Sequence, residues 1–101
     1  MKALVYTGTQ MSEIRDVGVP VMGDNQVLVD LAFCGICGSD MHAWHGHDER
    51  RVPPLVLGHE AVGIVQAGPL AGKRVAINPL MTCGDCNFCS SGDEHLCPSR
   101  E

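Results

Sequence analysis

The chain has 101 residues, room for one small domain or part of a larger one but not for two. Its 45% hydrophobic content excludes a disordered tail, and with one Trp, one Tyr and two Phe its core must be mostly aliphatic. Seven basic residues against twelve acidic ones give a net charge of −5. The seven are scattered from Lys2 to Arg100 without a cationic stripe, which argues against nucleic acid as a partner.

Residues 2–6 and 12–17 read as two strands around a turn centred on Gly8. Residues 26–33, rich in Val and Leu, follow the turn-forming Gly23-Asp24-Asn25 and form a third, longer strand. Ser39 or Asp40 carries a side-chain oxygen for free helical N–H groups, so either is placed to cap a short helix running to about His45. Residues 50–54 are a polar, Pro-rich loop. Residues 55–57 and 60–66 are strand-like on either side of Gly58-His59, and 73–78 form another strand. From Pro79 this pattern gives way to a Cys-rich loop. With no long amphipathic helix anywhere, the chain reads as mainly β, its loops carrying the chemistry.

The longest apolar runs, such as 61–65, fall far short of the ~20 residues of a membrane span, so no membrane partner is expected. The start lacks the apolar core and cleavage site of a secretory signal, which implies a cytoplasmic setting. In that reducing compartment six cysteines read as metal ligands before disulfides.

Cys83, Cys86, Cys89 and Cys97 have the spacing C-x2-C-x2-C-x7-C. Short separations let the thiolates turn back toward one point, and four of them close a tetrahedral shell with Zn–S distances of about 2.3 Å. Four protein ligands leave no position for substrate, so the site would be structural. The lobe, about 79–101, has few apolar side chains besides Phe88 and Leu96, and metal must supply the ordering energy that a core cannot. Two other readings are unliganded thiols and an iron–sulfur site. Ferredoxins carry a related run followed by Pro, as Pro98 follows Cys97, although their last gap is about three residues.

A second constellation surrounds Cys37. Gly35-Ile36-Cys37-Gly38-Ser39-Asp40-Met41-His42 leaves a predicted strand, and Gly58-His59-Glu60 stands further on. Cysteine, histidine and glutamate are competent zinc ligands, and three of them with water make an open, catalytic site. Asp40 suits the other N–H of a zinc-bound imidazole, and Ser39 with His42 suits a proton relay to solvent. Each residue alone has a plainer reading: a buried small thiol, a structural histidine, a solvated charge, helix caps. Their joint order is what carries weight.

These residues, with Ala61-Val62-Gly63, Arg74-Val75 and the four-cysteine lobe, resemble the zinc-dependent medium-chain alcohol and polyol dehydrogenases. The similar part is the N-terminal portion of their GroES-like catalytic domain, and it covers nearly the whole chain in the family's order. The resemblance implies a partly open GroES-like β-barrel, incomplete here, with a loop-rich zinc lobe. It also implies that Cys37 and His59 bind a catalytic zinc with Glu60 as a direct or exchangeable ligand. Asp40 would orient His59, and Ser39 and His42 would serve the relay. Many alcohol dehydrogenases place an Arg after the zinc cysteine; Gly38 stands there, as in polyol and threonine dehydrogenases, which leans the substrate toward secondary alcohols or polyols. The implied reaction is hydride transfer between an alcohol carbon and a nicotinamide, with Lewis-acid activation of the alcohol oxygen. Residues 66–73 are shorter than the family's usual turn.

No G-x-G-x-x-G and no βαβ unit occurs. The nucleotide-binding domain, any NAD or NADP, and any further zinc ligand are therefore expected beyond Glu101, with the chain alone inactive. With the family's returning strands absent, an unpaired edge and uncovered apolar surface are expected, and with them self-association into a homo-oligomer or swapping with another chain. The competing class is a stand-alone zinc-binding interaction or regulatory module. Cys34 with Cys37 mimics a redox C-x-x-C but lacks its helix-opening context. His45 and His47 read as loop histidines or adventitious metal ligands, and His95 as a solvated residue. Trp44 either lines the substrate cleft or anchors the helix.

Overall fold

The computed structural model describes all 101 residues, Met1–Glu101, and two three-stranded antiparallel sheets dominate it. In the first, β1 (Lys2–Gly8) lies between β2 (Met11–Asp16) and β4 (Leu55–Val56). The hairpin pairs Lys2 with Asp16 through to Tyr6 with Ser12. Its turn falls at Thr9 and Gln10, not at Gly8: β1 runs on to pair Gly8 with Met11, and Gln10 takes the left-handed φ of 56° that closes the turn. The Gln10 N–H donates to the Trp44 carbonyl at 2.6 Å, tying the hairpin tip to the end of the helix.

In the second sheet β5 (Glu60–Ala67) lies between β3 (Leu28–Gly35) and β6 (Arg74–Ala76). The third strand starts and stops two residues later than the sequence suggests because β5 pairs with it as far as Gly35 opposite Glu60. Along β5, Ala61, Gly63 and Val65 are buried in alternation, the period of two that one covered face requires. Ala3, Val5 and Tyr6 of β1 supply much of the remaining core. Gly63 has no room for a side chain, since a Cβ there would strike the Asp30 carbonyl across the ladder. Gly63→Ala must therefore push β3 and β5 apart, at a cost of roughly 1–3 kcal/mol. Thermal unfolding should show a melting temperature several degrees lower, and an unchanged one would contradict this close approach.

The helix α1 (Gly38–Trp44) starts two to three residues earlier than a cap at Ser39 or Asp40 would place it. Neither Ser39 nor Asp40 is its N-cap. That position belongs to Cys37, in extended conformation, while Asp40 at the third helical position turns back to accept the Cys37 N–H at 3.1 Å. This is the reciprocal half of a capping box. The cysteine lobe is more regular than a loop: it holds α2 (Asn87–Ser90) and a 3₁₀ turn, Glu94–Leu96.

Only nine of the 101 residues are buried, so much apolar surface stays open. Phe33 and Ile36 are each 77% exposed. An open cleft of ≈ 1170 Å³ runs beside β3 and α1, lined by Val21, Met22, Leu31, Ile36 and Trp44 among others, and reaches Asp40 and Gly58. Mainly β, with two unclosed sheets and a four-cysteine lobe, the architecture agrees with the GroES-like expectation. No helix is long and apolar enough to cross a membrane.

Candidate metal centres

The four lobe cysteines converge. Cys86 is the N-cap of α2, and its sulfur accepts the Cys89 N–H at 3.4 Å. The sulfurs of Cys86 and Cys89 are 3.5 Å apart, those of Cys83 and Cys97 3.6 Å, and those of Cys83 and Cys89 3.9 Å. Four thiolates held tetrahedrally at about 2.3 Å from one ion stand about 3.8 Å from one another, so the arrangement fits a single zinc. A multinuclear iron–sulfur cluster fits poorly, because its cysteines ligate different irons and must stand further apart. Reciprocal backbone bonds between Met81 and Glu101, at 2.8 and 3.1 Å, close the lobe at its base. The Cys89 N–H favours thiolate at Cys86, yet desolvation and hydrogen bonds with the Cys89, Cys83 and Cys97 thiols outweigh it and push the thiol up to about 11. Metal must displace that proton to bind, so the lobe's affinity falls as pH falls.

The second cluster is assembled from three segments. Cys37 comes from the N-cap of α1, His59 from the turn before β5, and Glu60 from the first residue of β5. Their ligand atoms all lie within 4.8 Å of one another. Gly58 makes the turn possible. Its φ of +113° is a conformation L side chains rarely adopt, and a Cβ there would sit 2.6 Å from the Cys34 sulfur. Cys34 thus packs beneath the turn, and it and Cys37 are free thiols. The Nδ1 of His59 is 3.3 Å from Oδ1 of buried Asp40, and its Nε2 is 3.3 Å from Oγ of Ser39. With Nδ1 engaged by the carboxylate, Nε2 is the nitrogen presented toward a metal.

His42 is not drawn into this network. It stands exposed on α1, edge-on to His47 with ring centres 5.1 Å apart, and hydrogen-bonds neither Ser39 nor His59. His45 lies 3.3 Å from the Gln10 amide and packs edge-on against Trp44. Trp44 is half-buried and lines the apolar cleft. Sequence reasoning missed Arg51, whose guanidinium reaches Asp40 at 3.0 Å and Ser39 at 3.4 Å. The signal available was a buried acid in need of a countercharge, but nothing in the spacing identified which of seven basic residues would supply it.

Comparison with known proteins identifies the family. The alcohol dehydrogenase GroES-like domain family matches residues 23–101, which contain both clusters. An alcohol dehydrogenase of Geobacillus stearothermophilus is 39% identical over 109 residues, covering 99% of this chain and 32% of its own. A sorbitol dehydrogenase of Halalkalibacterium halodurans is 38% identical over 110 residues, covering 100% of this chain and 32% of its own. Among solved structures, an alcohol dehydrogenase of Escherichia coli CFT073 complexed with NADH matches with a TM-score of 0.85 and 32% identity, over 100% of this chain and 31% of that one. The chain therefore spans about a third of the length of these relatives. A match that takes in both metal-ligand clusters, on a fold that superposes from end to end, places the chain in the alcohol dehydrogenase GroES-like domain family.

Proposed function

We propose that these 101 residues are the metal-binding portion of the catalytic domain of a zinc-dependent alcohol or polyol dehydrogenase. The observation that carries this is the convergence of Cys37, His59 and Glu60 with Asp40 seated on the far nitrogen of His59. Two zinc sites are proposed: a closed, structural one in the lobe of about 79–101, and an open, catalytic one at Cys37, His59 and Glu60. Zinc in the open site would lower the pKa of the alcohol oxygen and polarise the product carbonyl.

The chain's own residues do the rest. Asp40 fixes the tautomer and ring orientation of His59, so Nε2 faces the metal. Ser39, whose hydroxyl lies beside that nitrogen, takes the proton that leaves the substrate hydroxyl. His42, exposed on the same helix but without a hydrogen bond to Ser39, would receive it only through an intervening water and pass it to solvent. The open apolar cleft that reaches Asp40, though not lined by Cys37, His59 or Glu60, would offer an apolar wall to the carbon skeleton of the substrate. NAD or NADP, held by a domain outside these residues, would serve as the hydride acceptor. Gly38 and the sorbitol dehydrogenase relative favour a polyol or secondary alcohol. A homo-oligomer in the cytoplasm, without nucleic-acid or membrane partners, completes the proposal.

Metal analysis tests it. The zinc-loaded chain is expected to hold two ions of unequal strength. A chelator should strip the open site first, since fewer thiolates hold it, and leave the lobe loaded. One zinc in total, or loss of both together, would contradict two separate centres.

A further inference from the structure

Arg51 lies in the stretch between α1 and β4, where the sequence shows only a polar loop. Its side chain is three-quarters covered, and its guanidinium spans three groups. One terminal nitrogen donates to Oδ1 of Asp40 at 3.0 Å, the other to Oγ of Ser39 at 3.4 Å. Its Nε lies 3.6 Å from Oδ2 of Asp48, which anchors the fork from behind.

Asp40 is 6% exposed and serves three segments at once. Its Oδ2 accepts the Cys37 N–H at 3.1 Å, and its Oδ1 meets both Arg51 and, at 3.3 Å, the Nδ1 of His59. A buried carboxylate is costly without a countercharge. His59 cannot be that charge while it binds a metal, because a ligating imidazole is neutral. Arg51 is then the one cation on Asp40. A planar fork can meet two acceptors on one helical turn, where a lysine ammonium brings a compact charge without the fixed fork.

We infer that Arg51 is a positioning residue for the Cys37–His59–Glu60 centre. It holds the Asp40 carboxylate against His59 and the Ser39 hydroxyl beside Nε2, and so sets how tightly the open site grips a divalent metal. This rests on the proposed reading of that centre as a metal site, and the experiment separates the two.

The full chain, its lobe already filled with zinc, is titrated with Co²⁺ against a competing chelator, and the visible cobalt bands report the open site. Arg51→Met is expected to weaken that site by about 10–100-fold, the usual effect of losing a group that orients a ligand. Metal content of the lobe should stay as in the unmodified protein, while the melting temperature of the zinc-loaded chain falls because the Asp40 carboxylate loses its countercharge. Arg51→Lys, which keeps charge and stem and so protects the fold, is expected to fall between the two. Lys73→Met, at an exposed position before β6 and outside both clusters, should change nothing. Unchanged cobalt affinity in Arg51→Met overturns the inference. So does full affinity in Arg51→Lys, or a loss shared equally by lobe and open site. If the unmodified chain binds no cobalt, or Cys37→Ser binds it as well, the reading of the centre fails first and this inference with it.

Discussion

Replacing Cys89 with serine is expected to empty the lobe of zinc and unravel it. Cys89 is the hub of the cluster: its sulfur is 3.5 Å from that of Cys86 and 3.9 Å from that of Cys83, and its N–H is bonded to the Cys86 sulfur. The helical turns around it are four and three residues long, far below what propensity alone sustains. Of the lobe's residues only Cys97 is buried, so no apolar core stands behind the metal. Coordination free energies at structural zinc sites are on the order of 10 kcal/mol or more, and here that energy is folding energy. Metal analysis of Cys89→Ser should show one zinc fewer, and limited proteolysis should cut within 79–101 where the unmodified chain resists. Retained zinc and retained resistance would refute the structural role. A brown protein carrying iron, with a broad visible band, would refute the choice of metal.

Replacing Cys37 with serine should have the opposite pattern: a folded protein with a full lobe and an inactive centre. Cys37 lies at the cap of α1, and the backbone N–H that Asp40 accepts there survives the substitution. Serine is itself a favoured N-cap residue, so the helix start is preserved while the thiolate is lost. In the longer enzyme to which this chain is proposed to belong, losing Lewis-acid assistance worth several kcal/mol should lower kcat/KM by about 10³-fold or more. The circular dichroism spectrum and the lobe's zinc should be unchanged. Normal turnover with full metal content would remove Cys37 from the chemistry.

Much of this molecule was legible before any coordinates. Strand-like runs between turn residues marked the strands apart from their ends, although alternating burial of one face is seen along β5 and in part of β1, while β2 is exposed throughout. The four-cysteine shell followed from spacing alone, since cysteines three and eight positions apart can return to one point without help from the rest of the fold. Element ends were less legible. The first turn moved from Gly8 to Gln10 and β3 extended to Gly35, because pairing across the ladder, not local propensity, decides where a strand stops. The cap of α1 moved to Cys37 for a similar reason. Asp40, chosen as a capping oxygen, is committed instead to bonds from Cys37, Arg51 and His59, and that network exists only once three distant segments meet. Sequence by itself determined which residue types could bind metal and how many centres they could form. Only the tertiary structure decided that Glu60 faces Cys37, that His42 stands apart from Ser39, and that Arg51 supplies the charge opposite Asp40. Those depend on contacts between residues far apart in the chain, and a linear pattern carries no information on which of several equivalent cations closes such a contact.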